Sequence, residues 1–147
     1  MELVVVIAII GILAGMAIPR FLDATASARG AKVVADMRTI QSAEMIYYAK
    51  YANYPTTDES TKADSNFTKL VQGGWPLPPA GKIIVAPTMS NDAKATPYEG
   101  NIASGVTYAY NGTGLEPGRL TVKVDSDEVT LTELLQGKVQ TDTPPNS

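Results

Sequence analysis

Apolar and polar positions divide this chain sharply. Residues 3–18, LVVVIAIIGILAGMAI, form an unbroken apolar run of 16 residues. As a helix rising roughly 1.5 Å per residue, the run spans about 24 Å, slightly less than a hydrocarbon core of about 30 Å. From Arg20 onward polar residues enter, and the apolar positions thin to a single face. Val33, Met37, Ile40, Ala43, Tyr47 and Tyr51 recur at steps of three or four, the period of a helix buried along one side. The pattern predicts one continuous helix from Glu2 to about Ala52, ended at Asn53-Tyr54-Pro55-Thr56 because Pro55 disfavours helical geometry in Tyr54. Such a helix is about 75 Å long, so half of it must stand outside any bilayer. Within it Gly30 reads as a soft point, and Lys32 and Asp36 stand close enough to pair across one turn.

After the helix the pattern becomes short and broken. Residues 66–72 predict a short helix closed by Gly73-Gly74, followed by a Pro-rich loop in which Trp75 is read as a packing anchor. Residues 82–86, 106–110 and 119–124 read as strands, the last two by clear alternation. Asn111-Gly112, Gly114 and Pro117-Gly118 predict a hairpin loop between the second and third. Residues 87–105, poor in apolar side chains, read as a long loop, residues 129–131 as an edge strand, and residues 132–136 as a short helix. The tail from Thr141 should be mobile. The fold class is therefore α+β, with the long N-terminal helix packed on a small antiparallel β-sheet of three to four strands. Residues 1–24 form the hydrophobic helix half, and residues 25–147 the globular head.

Composition narrows the chemistry. A chain of 147 residues is one domain plus its N-terminal helix. It has no cysteine, so no disulfide staples the head, and no histidine, which excludes Ser-His catalysis and histidine metal sites. No glycine-rich phosphate loop is present. With 12 basic and 15 acidic residues dispersed along the chain and a net charge of -3, nothing forms a nucleic-acid footprint. The reading is a non-enzyme without cofactors.

Glu2 is the one acid at the open end of the apolar run. A carboxylate buried in lipid costs on the order of 2.5–3.5 kcal/mol without a partner, so Glu2 either pairs with a cation or sits in the headgroup layer. Three readings fit such a segment. A secretory signal would use Gly15-Met16-Ala17 for cleavage but needs a basic n-region, whereas only Met1 and an acid stand here. A plain anchor with Arg20, Arg29 and Lys32 after the run would hold the soluble part inside. The third reading, preferred here, is that a short basic leader set the orientation and was removed.

The spacing of Glu2, Gly11 and Pro19 in ELVVVIAIIGILAGMAIP closely resembles the N-terminal segment of type IV pilins and type II secretion pseudopilins. The likeness is dense over about the first 20 residues and loose to about Tyr51. In that family a prepilin peptidase removes a basic leader, and the new N-terminal residue is N-methylated a few residues before the glutamate; here only Met1 precedes Glu2. The resemblance implies the pilin roll and a filament of identical subunits. Glu2 would pair with a neighbour's terminal amine. Gly11, Gly15 and Pro19 would soften the helix, Pro19 by withholding a donor from the carbonyl of Gly15. It also implies an inner-membrane platform and an ATPase as partners. The chain would lie in the cytoplasmic membrane before assembly and in a surface filament afterwards, serving adhesion, motility or DNA uptake. A secretion pseudopilin and a membrane-tethered binding module that never polymerises are the alternatives.

Minor signals remain. Asp125, Asp127 and Glu128 are weak calcium candidates, being oxygen donors without the rest of an EF-hand loop; a solvated turn is the preferred reading. Asn66-Phe67-Thr68 and Asn111-Gly112-Thr113 fit the glycosylation pattern by coincidence. Tyr47, Tyr48, Tyr51 and Tyr54 are expected to serve helix-to-sheet packing.

Overall fold

The computed structural model describes residues 1–55, 65–90, 92, 94–111 and 119–138. Helix α1 (Glu2–Tyr51) runs 50 residues and is followed by a single turn, α2 (Ser65–Thr68). Then come β1 (Gly81–Val85), β2 (Tyr98–Ile102), β3 (Tyr108–Asn111), β4 (Arg119–Val124), β5 (Asp127–Thr130) and α3 (Leu131–Gln136). Helix α1 ends on Ala52, which takes the left-handed conformation at φ 55° and donates its N–H to Tyr48 O. The chain is thus an α+β arrangement in which one long helix packs on antiparallel sheets.

The predicted single sheet is in fact two. Strands β1 and β2 form one antiparallel pair, and β3-β4-β5 form a second, three-stranded sheet. Strand β2 lies inside the stretch read as a loop. Its sequence, YEGNI, is poor in strand formers, yet pairing with β1, from Gly81 opposite Ile102 to Val85 opposite Tyr98, imposes the extended state. Strand β3 starts two residues later than expected, and β5 runs Asp127–Thr130 rather than over 129–131. Leu131 instead opens α3, because Thr130 and Glu133 form a capping box: Glu133 N–H donates to the Thr130 hydroxyl and Thr130 N–H to the Glu133 carboxylate. The expected loop over 112–118, the polar stretch 56–64, the second glycosylation pattern and the tail from Thr141 lie outside the described residues.

The core is built around the outer half of α1. Val33, Met37 and Ile40 are fully buried with Ala43 and Tyr47 close behind, against Ile83, Tyr108, Val122 and Leu134. Tyr51, expected on that face, is 40% exposed. Ala26, Gly30 and Glu44 also belong to it. Gly30 is the point of closest approach rather than a soft point, since a Cβ there would stand 2.1 Å from the carbonyl oxygen of Ile84. Only a residue without a side chain lets β1 lie this close. Of the four tyrosines near the end of α1, Tyr47 alone is buried in the core, edge-on to Phe67 at 6.1 Å; Tyr48, Tyr51 and Tyr54 are exposed, with the Tyr48 and Tyr54 rings tilted against each other at 4.7 Å. Trp75 is the anchor expected of it, half-buried and edge-on to Phe67 at 5.8 Å.

The two sheets are joined at Gly100 and Asp125. Asp125 N–H donates to Asn101 O at 2.7 Å, and Asn101 N–H returns a bond to the Asp125 carboxylate at 3.2 Å. A side chain at Gly100 would strike Val124 and Asp125.

Candidate functional site

The inner half of α1 is helical for local reasons and is held by nothing else. Its alternation of Val, Ile and Leu with Ala gives no one-sided stripe; a helix apolar all round needs cover all round. From Met1 to Ala24 every residue is exposed, and Ala26 is the first buried one. Thirteen large apolar side chains between Leu3 and Leu22 stand in the open, among them Leu3 at 75% and Phe21 at 68%. Burying each stabilises by about 1.5–3 kcal/mol, so their cover is worth on the order of 20 kcal/mol before ordering costs. An apolar surface of this size marks a partner or a membrane. This is the one helix among the described residues long and apolar enough to cross a bilayer.

Glu2 sits in the first turn, where the helix dipole favours an acid. No described side chain bonds to it. The helix passes unbroken through Gly11, Gly15 and Pro19, so no melted stretch exists in the isolated subunit. A Cβ at Gly11 or Gly15 would meet nothing within 4 Å. Neither glycine is required by the subunit's own packing.

Two polar ties lock the outer half to the head, and sequence reasoning missed both. Tyr108 Oη donates to Asp36 at 3.0 Å, and the same carboxylate takes the Lys32 ammonium, the pair expected from the spacing. Tyr110 Oη donates to Glu44 at 3.1 Å. Burial pushes the Glu44 carboxyl above the usual carboxylate range, and the Tyr110 bond offsets part of that rise. Burial, then the facing carboxylates, raise the phenol pKa of both Tyr108 and Tyr110, so they stay neutral donors. The alternating Tyr108 and Tyr110 pointed to the helix, but no spacing in the sequence pairs them with Asp36 and Glu44.

The calcium candidates do not converge. Asp125 spends its carboxylate on Asn101, Asp127 opens β5, and Glu128 stands opposite Lys123 in the sheet register. Among the described residues no group of three or more acids is placed to hold a metal ion.

The chain is 43% identical over 58 residues to the type IV narrow pilus major component PilA5 of Thermus thermophilus, a match covering 40% of this chain and 50% of the relative. It is 36% identical over 63 residues to the type II secretion system core protein G of Klebsiella michiganensis, covering 43% and 44% respectively. Over these matched stretches the chain is similar to a type IV pilin and to a type II secretion pseudopilin. It spans half or less of the length of these relatives. No family model matches it, and no solved structure matches significantly. For a pilin-like chain the exposed half of α1 is the surface of interest, and the polar ties of Asp36 and Glu44 are the means by which a folded head carries it.

Proposed function

We propose that this chain is the structural subunit of a type IV pilus. The carrying observation is a half-helix with thirteen large apolar side chains that the protein's own fold leaves wholly uncovered. Residues 1–24 wait in the cytoplasmic membrane and then pack with their counterparts in a filament core, while residues 25–147 form the head on the filament surface. Glu2 pairs there with a cation of a neighbouring subunit, by family resemblance its terminal amine. An acid in an apolar bundle is tolerated when paired. Gly11, Gly15 and Pro19 supply softness that the subunit does not use but a fibre under tension does. The chain carries out no chemistry; a prepilin peptidase, an ATPase and a membrane platform act on it, and the filament serves adhesion, motility or DNA uptake.

The likeness to a type II secretion core protein favours one second reading, a pseudopilin in a short periplasmic fibre. Helical reconstruction of filaments sheared from producing cells separates the two. Side-chain density fitting this sequence establishes the major pilin. Surface filaments built from another chain would move the assignment to a minor pilin or pseudopilin. Glu2→Ala should leave the head folded and abolish assembly; normal filaments from that variant would remove Glu2 from the mechanism. A membrane-tethered binding module is left only if the chain forms no filaments of any kind.

A further inference from the structure

Between α2 and β1 the chain reads WPLPPA over residues 75–80. Their exposure follows every third position. Trp75, half-buried, and Pro78, buried, share one ridge; Pro76 and Pro79, both half-buried, share the second; Leu77 and Ala80, both exposed, share the third. Three residues per turn is the period of a polyproline II helix, which makes no internal hydrogen bonds. The three prolines fix their own φ and restrict the residues before them, so the segment is a stiff rod.

The rod is held lightly. Its one hydrogen bond to a described residue comes from the exposed Lys32 ammonium, which donates to Leu77 O at 3.4 Å. Trp75 packs edge-on to Phe67 at 5.8 Å, but its indole N–H is buried and has no acceptor among the described residues. A buried donor without a partner works against the docked position, and water satisfies it once the ring leaves. Gly73 and Gly74, both at φ 84°, stand before the rod and Gly81, at φ 111°, after it; glycine changes conformation at such points with little steric cost. A Cβ at Gly73 or Gly74 would meet nothing within 4 Å, and a hollow bounded by Thr68, Lys69 and Gln72 adjoins Trp75. The ring has room to move.

We infer that residues 75–80 form a strap that lifts from the folded head as one rigid piece, pivoting at Gly73-Gly74 and at Gly81. Trp75 and Pro78 leave together, because the prolines between and beside them transmit the motion. Lifting uncovers Phe67, which is fully buried in the docked state. The strap is held down by one aromatic contact, the Pro78 ridge and one exposed bond, and the unsatisfied indole N–H favours its release. The rest of the head stays closed, since antiparallel ladders and the bonds from Tyr108 to Asp36 and from Tyr110 to Glu44 join its elements, and the motion touches none of these. The opening is therefore local and separate from global unfolding.

Trp75 is the one tryptophan and the chain has no cysteine, so two points of the strap can each be followed by a unique probe. Hydrogen exchange of the indole N–H is read by NMR on the full-length chain in detergent micelles, at rising guanidinium below the unfolding transition. The reference is the amide of Val122, which lies between Tyr108 and Val129 in the three-stranded sheet. The indole should exchange about tenfold or more faster than the Val122 amide and with almost no dependence on denaturant, whereas the Val122 amide should accelerate steeply, because denaturant sensitivity scales with the surface exposed. In Pro78→Cys, thiol labelling should show the same protection and the same flat dependence as the indole. Gly74→Ala disfavours the docked φ and should raise indole exchange about fivefold or more. Equal rates and slopes for the indole and Val122, or indole exchange as fast as in free tryptophan, would overturn the strap. A Pro78→Cys thiol protected as strongly as the Val122 amide would overturn its rigidity, and an unchanged indole rate in Gly74→Ala its pivot; all of these outcomes leave the filament reading as it stands.

Discussion

Gly30→Ala tests how closely α1 is seated on β1. The added Cβ would lie 2.1 Å from Ile84 O, 2.8 Å from the Ile84 carbonyl carbon and 3.0 Å from Val85 Cγ2. Carbon–oxygen contacts relax at about 3.3 Å or beyond, so helix and strand must separate by roughly 1 Å. Two of the three obstacles are backbone and cannot rotate away. Overpacking of this kind costs about 1–3 kcal/mol, and the better helix propensity of alanine returns up to about 1 kcal/mol. The balance is a loss of about 1–2 kcal/mol. For a head of this size that lowers Tm by about 4–8 °C. Gly11→Ala and Gly15→Ala are the controls: their Cβ atoms meet nothing within 4 Å, so the propensity gain stands alone and the head should melt as before. The assay is thermal unfolding of the detergent-solubilised full chain, followed by near-ultraviolet circular dichroism of the buried tyrosines. A Gly30→Ala chain melting at or above the parent would refute the close approach and the reasoning built on it.

Three further outcomes are expected. Glu44 has its carboxyl raised by burial in the folded state, so its contribution to stability is complete below the unfolded value of about 4.5 and is lost as pH rises through the raised folded value. Glu44→Gln, which keeps the acceptor for Tyr110, should flatten that decline and raise the melting temperature at pH 7; a decline of unchanged size would assign it to another group. Thr130→Ala removes the hydroxyl half of the capping box, leaving the bond from the backbone N–H of residue 130 to Glu133, and should cost about 0.5–2 kcal/mol in urea titration, while Thr132→Ala on exposed α3 surface should cost little. Millimolar calcium should leave the melting temperature unchanged, because Asp125 is bonded to Asn101; a rise of several degrees that Asp127→Asn removes would put an ion in the β4–β5 turn.

Much of this architecture is legible in the order of residues. An apolar run followed by a one-faced helical period specifies α1 and its division into two halves, because period and hydrophobicity are local properties that the chain carries without any fold. The spacing of Glu2, Gly11 and Pro19 carries the likeness to pilins for the same reason. Strands with alternating Val, Tyr and Leu, such as β3 and β4, are also visible. What was not legible depends on partners distant in sequence. YEGNI becomes β2 only because β1 offers it a ladder, and one expected sheet becomes two because Asn101 and Asp125 join them at a corner. Gly30 reads locally as weakness, since a helical glycine costs backbone entropy, and becomes the closest contact only when β1 arrives. Glu44 and Asp36 look like solvated helix charges until Tyr110 and Tyr108 reach them from β3, 66 and 72 residues away. The sequence by itself determined which surfaces must be covered; tertiary structure decided which of them the chain covers for itself, because burial depends on the position of every element at once.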